Sequence, residues 1–179
     1  QLSVILKSEK IIKSSTLVDN KLNFNFKKFS RLKDKVNYNI FVGKPNIREN
    51  IFNYLKKKKN FLYTPLVLST SKLYTNKISK GCIIEHYVLI SNNVSLGIGC
   101  IILTGSIIGH DSRIGNFCNI GANATISGNV RIGNKVLVGS QSFISNDIKI
   151  CSNVVIAPGS IVLKNITKPG IYNGNILIK

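Results

Sequence analysis

The sequence predicts a mainly β protein, a β-helical solenoid preceded by a small α/β unit. Three observations predict it. Every sixth residue from Ile78 to Val162 is Ile, Leu or Val, fifteen positions without a break. The residue two before each of these is mostly small or β-branched, including Cys82, Val88, Cys100, Ser112, Ala124 and Val136. Gly follows the apolar position at 97, 109, 115, 121, 133 and 139. A helix repeats near 3.6 residues and a strand near 2, so neither alone gives a pure period of six. A chain wound with three flat faces per turn does, at eighteen residues per coil. The apolar residue then points to the axis, and the small residue fills the alternate inward position. Gly at the corners, with Asn at 92, 116, 134 and 146, suits sharp changes of backbone direction.

Residues 1–68 do not follow the six-residue rule and form a partial α/β unit. Leu2–Lys10 could be the tail of a helix, and Thr16–Val18 is a short strand candidate ending at Asp19-Asn20. Tyr38–Val42 reads as a strand closed by Gly43. A helix follows Pro45, with Asn46 as N-cap, Glu49 at the capping-box position and Ile47, Ile51 and Leu55 on one face. The Lys56–Lys59 run suits its C-terminus. Phe61–Leu68 is the next strand. Strand, helix, strand suggests part of a Rossmann-like nucleotide-binding layer, whose first strand and glycine-rich turn are expected before residue 1. Residues 69–77 read as a connector, 78–163 as the solenoid and 164–179 as a tail over the last coil.

Composition narrows the function. The net charge is +18, which raises the question of a nucleic-acid partner. The excess is mainly Lys, spread along a chain rich in Asn and Ile, and reads as compositional bias rather than a nucleic-acid surface. Its clusters, Lys27–Lys28 and Lys56–Lys59, lie outside the solenoid. An anionic small molecule gains from the same field. Cys82, Cys100 and Cys118 stand eighteen apart and should form one interior column of small buried residues. Neither paired CxxC motifs nor a histidine set for zinc is present. No apolar run reaches the roughly eighteen residues of a membrane span and no leader pattern is visible. The cytoplasm is the expected location, although the chain begins with Gln1 rather than Met.

Chemistry must come from residues that break the repeat. There are two histidines. His110 sits between two apolar positions at a corner, with Asp111 next to it. Imidazole beside a carboxylate has the makings of a general base. Glu85-His86 has the same local character at a corner of another face, so local chemistry alone does not choose between them.

The segment Gly109-His110-Asp111-Ser112-Arg113-Ile114-Gly115-Asn116-Phe117 resembles the active-site segment of hexapeptide-repeat acyltransferases. More narrowly, it is similar to sialic acid O-acetyltransferases and N-acetyltransferases of nucleotide-linked 4-amino sugars. Ala124–Gly133 and Tyr38–Arg48 carry further likeness to that branch. The resemblance implies a left-handed parallel β-helix, a homotrimer and an acetyl-CoA-dependent acetyltransferase acting on a sugar or nucleotide-linked amino sugar in surface-glycan synthesis. It makes His110 the base and Asp111 the residue that raises its basicity. It assigns acetyl-CoA contacts to Asn119, where the family usually has histidine, and to Ser140 and Pro158. It assigns sugar-nucleotide contacts to Gly43, Asp19 and Asn20. No metal is implied. The ending Tyr172-Asn173-Gly174-Asn175-Ile176 departs from the family's usual Gly-x-Pro-Ala.

Other classes make different demands. A structural or ice-binding solenoid would favour Thr ladders, and a γ-class carbonic anhydrase needs three histidines. A catalytically degraded scaffold is the remaining alternative, given Asn119.

Overall fold

The computed structural model describes residues 36–57 and 61–179. The helix and strand candidates at Leu2–Lys10 and Thr16–Val18, Asp19-Asn20 and the Lys27–Lys28 pair lie outside the described residues. Strands of two to four residues stack into three parallel sheets of four, six and eight strands, the last closed by one antiparallel strand. The four-stranded sheet contains Ser95–Leu96, Arg113–Ile114, Arg131–Ile132 and Lys149–Ile150. The pairings run in steps of eighteen, as in Asn119 with Leu137 and Arg113 with Arg131. Fourteen of the fifteen apolar positions are buried, and Ile78 is half-buried against the same core. Spacing alone therefore located the axis.

The inward column two residues earlier is also buried from Cys82 to Ser160, and its polar members are satisfied. Cys82, Cys100 and Cys118 donate through Sγ to the carbonyls of Gly97, Gly115 and Gly133 at 3.1, 3.0 and 3.0 Å. Ser106 and Ser112 make the same link to Gly121 and Ser127 at 2.9 Å each. In every case the acceptor lies fifteen residues ahead, directly after a strand of the adjoining sheet. A short donor there closes a corner that a long side chain could not enter.

The corners differ from expectation. Left-handed backbone occurs three residues after the apolar position rather than one: Tyr87, Asn93, Asp111, Phe117, Asn123 and Asn129 all have φ between 55 and 59°. Glycine directly after the apolar position serves close stacking instead. A Cβ on Gly115 would lie 2.5 Å from the Gly133 carbonyl oxygen of the next coil.

The solenoid starts before residue 78. Leu66–Val67 pairs with Ile83–Ile84, and Lys72–Leu73 pairs with Leu89–Ile90. Part of the expected connector is thus first-coil strand, in a register of seventeen that the eighteen-residue rule misses. At the other end, Gly170–Asn173 pairs with Val154–Ile156 at a spacing of sixteen, and Ile166 bridges Ile150. The tail is a shortened coil, and buried Tyr172 closes the core.

The α/β unit is strand, helix, strand. Val36–Asn37 pairs in parallel with Phe61–Leu62, and helix α1 spans Pro45–Lys56. Residues 38–42, expected as strand, lie outside it. The expected strand over 61–68 divides between this pair and the solenoid. The cap of α1 is Lys44, not Asn46, and makes no side-chain cap bond. Proline occupies the first turn, where its missing N–H costs nothing, and pushes Lys44 into extended backbone. Glu49 leaves the capping-box role and pairs with Lys135 at 2.6 Å. The buried face of α1 is Arg48, Phe52 and Leu55, while Ile47 is exposed. Phe52 packs against Phe117 at a solenoid corner and against Tyr63, with ring centroids 5.7 and 4.7 Å apart.

Truncating an axial residue should leave a cavity between coils. Ile126→Ala is expected to cost about 2–5 kcal/mol in denaturant unfolding. Cys100→Val, close in volume, should cost less than about 1.5 kcal/mol; a larger loss would mean that the thiol-to-Gly115 link matters more than packing.

Candidate functional site

His110 lies at the corner between the six-stranded and four-stranded sheets, after Ile107–Ile108 and before Arg113–Ile114. Its Nδ1 stands 2.8 Å from Asp111 Oδ2. A carboxylate beside Nδ1 holds that proton on Nδ1 and leaves Nε2 as the acceptor. Asp111 adopts φ of 59°, which turns its carboxylate back onto the preceding ring. Asp111 Oδ1 accepts from Asn93 Nδ2 at 2.6 Å, and Asn93 Oδ1 accepts from Lys77 Nζ at 2.5 Å. Asn93 is eighteen residues before Asp111, so the coil below fixes the carboxylate from its far side. The bond from His110, with Asn93 adding to it, holds the Asp111 carboxyl below the usual carboxylate range.

Gly128 stands eighteen residues after His110. A Cβ there would lie 2.6 Å from His110 Nε2 and 2.8 Å from Cε1. The imidazole therefore lies over a backbone that carries no side chain. Both side chains of the pair are open, His110 at 67% and Asp111 at 50% exposure. Below them, Leu73, Tyr74, Thr75, Asn76, Lys77 and Asn93 line an open recess of about 470 Å³.

His86 is arranged differently. It lies at the corner between the eight- and six-stranded sheets, its Nδ1 2.9 Å from Thr70 Oγ1. Glu85 accepts from Thr104 N and Oγ1 at 3.1 and 2.8 Å. The tandem carboxylate and imidazole are thus engaged elsewhere, whereas those of His110-Asp111 face each other.

The remaining sequence-predicted residues fall into two groups. Ser140 and Pro158 adjoin each other at the corner that also carries His86, with Gly159 N donating to Ser140 O at 2.8 Å. That corner is the opposite edge of the six-stranded sheet from His110, and one chain does not bring the two together. Gly43 and Asn119 do meet: Asn119 Nδ2 donates to the Gly43 carbonyl at 2.7 Å.

Arg48 ties this contact to the α/β unit and is fully buried. Its Nε donates to Gly99 O at 2.8 Å, and its Nη2 to Phe117 O at 2.8 Å and Asn119 Oδ1 at 2.5 Å. Nη1 donates to the Val42 carbonyl. Burial lowers its pKa from the ordinary value. Carbonyl dipoles compensate the guanidinium, and its planar fork lets one side chain join segments some seventy residues apart. Three features of this site escaped the sequence reading: Asn93, Gly128 and the anchoring role of Arg48, a residue noted only through the resemblance of residues 38–48. The first two were one coil-length from the His-Asp pair. The third gave no local signal.

No protein-family model matches the chain, and comparison with curated proteins finds no match. Solved structures do match. PerB from Caulobacter crescentus, in complex with CoA and GDP-perosamine, aligns over 75% of this chain and 65% of its own, at 18% identity and a TM-score of 0.72. The acetyltransferase domain of PglB from Neisseria gonorrhoeae aligns over 78% and 68%, at 21% and 0.73. WeeI from Acinetobacter baumannii aligns over 92% and 81%, at 16% and 0.65. The likeness is one of fold. The matches span 64–66% of the Caulobacter chains, just under two thirds of their length.

Two variants test this geometry. Gly128→Ala should push the imidazole aside, so the hydrogen-bonded Nδ1–H resonance of His110 is lost from the proton spectrum while the fold remains. An unchanged resonance would mean that Gly128 does not set the ring. Arg48→Met should strand the carbonyls of Gly99 and Phe117. Amides of α1 should then exchange at least about tenfold faster, with the central coils unchanged; equal protection in α1 would remove Arg48 as the anchor.

Proposed function

We propose that this chain is an acetyltransferase using acetyl-CoA as co-substrate, with a sugar or nucleotide-linked amino sugar as acceptor, in bacterial surface-glycan synthesis. The observation that carries the reading is the His110–Asp111 contact at 2.8 Å, braced by Asn93 and lying over Gly128. The fold-level likeness to sugar acetyltransferases supports the same class. So does the resemblance of residues 109–117.

In this reading Nε2 of His110 takes the proton from the acceptor amine or hydroxyl as that group attacks the acetyl carbonyl. Asp111 stabilises the imidazolium that forms. The tetrahedral oxyanion is held by a backbone N–H near the corner. The thioester C–S bond then breaks, and coenzyme A leaves as a thiol carrying the proton returned by His110. No metal takes part. Because the Asp111 carboxyl is held below its usual range, it stays ionised through mild acid. Its support of His110 is present above the ordinary carboxylate pKa and is lost only as pH falls through the lowered value.

Asn119, Ser140 and Pro158 lie on the eight-stranded sheet or its edge, the side we assign to acetyl-CoA. Asn119 has one oxygen lone pair and one amide hydrogen beyond its bonds to Arg48 and Gly43. Gly43, with Asp19 and Asn20, belongs to the sugar-nucleotide side. Since the Ser140–Pro158 edge and the His110 edge bound opposite sides of one sheet, the reading calls for a homotrimer of left-handed prisms. The donor edge of one copy then faces the base of the next. The cytoplasm, where acetyl-CoA is made, is the compartment that fits.

The test is thiol release from acetyl-CoA with a panel of 4-amino nucleotide sugars and sialic acid. His110→Ala should lower turnover by about 10²–10⁴-fold, Asp111→Asn by less, and His86→Ala hardly at all. Loss in His86→Ala with full activity in His110→Ala would move the site to the other corner. Failure of every acceptor with the intact chain would favour a degraded enzyme.

A further inference from the structure

The outward positions of the four-stranded sheet carry Arg113, Arg131 and Lys149 in register on three successive coils. Strands stack about 4.8 Å apart, and like charges directly opposite one another are destabilising. A solenoid that stacks three cations in one column gives up stability there. The choice of arginine adds to this. Only four of the 25 basic residues are Arg, and two of them are this adjacent pair. Arginine offers a planar, bidentate fork to phosphate where lysine offers a point charge.

Among the described residues the column has little anion of its own. The chain contains 7 acidic residues, of which Glu49, Glu85, Asp111 and Asp147 are described. Each of these is engaged: Glu49 with Lys135, Glu85 with Thr104, Asp111 with His110 and Asn93, and Asp147 with Asn129 and Asn146. Among the described residues, Arg113 makes no ion pair. Arg131 hydrogen-bonds only Asn129 Oδ1, at 3.5 Å, and its charge adds a minor part to holding the Asp111 carboxyl down. Asn129 lies one coil above Asp111, so Arg131 leans toward the His110 corner.

Position suggests the ligand. The α/β unit docks at one edge of the four-stranded sheet, through Arg48 to Gly99 and Phe117 and through Glu49 to Lys135. His110 occupies the other edge. A ligand held by the α/β unit of one chain and reacting at the His110 of that same chain would cross this face.

We propose that Arg113 and Arg131, with Lys149, form a binding site for the diphosphate of a nucleotide-linked substrate lying across the four-stranded face. The proposal rests on the functional reading for the direction of the substrate, but not for the anion site itself. A diphosphate could also come from coenzyme A, and the test separates the two.

Isothermal titration of the full chain would use UDP, GDP, CoA and 3′-dephospho-CoA at low and high salt. The Arg113→Gln/Arg131→Gln double variant should bind UDP or GDP at least about tenfold more weakly, with a smaller salt dependence. Its melting temperature should be equal or higher, because the repulsive column is relieved. CoA affinity should be unchanged; a fall confined to CoA assigns the column to the acyl donor and overturns the nucleotide assignment. Wild-type affinity of the double variant for every probe, or no binding of any probe by the parent chain, overturns the site. His110→Ala should keep nucleotide binding. Absence of turnover by the parent chain with every acceptor, with its nucleotide binding intact, would count against the enzyme and not against the column.

Discussion

Parallel stacking of identical short strands at a repeat of eighteen is the constraint on which the rest of this structure depends. Once Ile84, Ile102, Ile120 and Val138 lie on one axis, every other position is repeated along a column. Strand residues meet like-numbered strand residues, and corner residues meet corner residues. Each corner must turn in few residues, which forces left-handed backbone three positions after each axial residue from Ile78 to Ile156. Among the described residues, ten that are not glycine accept that conformation, including Tyr87, Phe117 and Lys135. Coil stacking outweighs a local conformational cost repeated at each corner.

The His110 corner follows from the same constraint. Asp111 occupies the left-handed position, and its backbone aims the carboxylate at its neighbour's ring. The coil below supplies Asn93 to brace that carboxylate. The coil above supplies Gly128, whose lack of a side chain admits the imidazole. The geometry of the His110–Asp111 pair is a property of three coils. At the His86 corner the coil above supplies Thr104, which draws Glu85 away. Two similar dipeptides thus acquire different chemistry from their neighbours eighteen or nineteen residues on.

This explains which features were legible in the sequence. The axial and inward columns could be read because their selection is strong and repeated: only compact or aliphatic side chains fit. Coil boundaries were misjudged where the register shortens to seventeen at Leu66–Ile83 and sixteen at Val154–Gly170, since a fixed period cannot anticipate its own end. The helix cap was misassigned because Pro45 shifts the start by two residues, a rule available in the sequence but given less weight than Asn46. Asn93 and Gly128 could have been found by applying the eighteen-residue offset to His110 and Asp111. Arg48 could not, since its partners lie 51 and about seventy residues away.

The arginines connect these strands of argument. In a chain whose basic residues are overwhelmingly lysine, three of the four arginines are described, and each sits where a point charge would serve poorly. Arg48 has to satisfy carbonyls on two coils and on its own segment from a position without solvent, which needs several donors in a fixed plane. Arg113 and Arg131 stand on neighbouring strands at a spacing that suits two forks on one extended anion. The abundant lysines raise the potential of the whole surface and so favour any phosphate nonspecifically. Direction comes from the planar groups. One fixes the α/β unit to an edge of the four-stranded sheet, and the other two mark the face between that edge and His110.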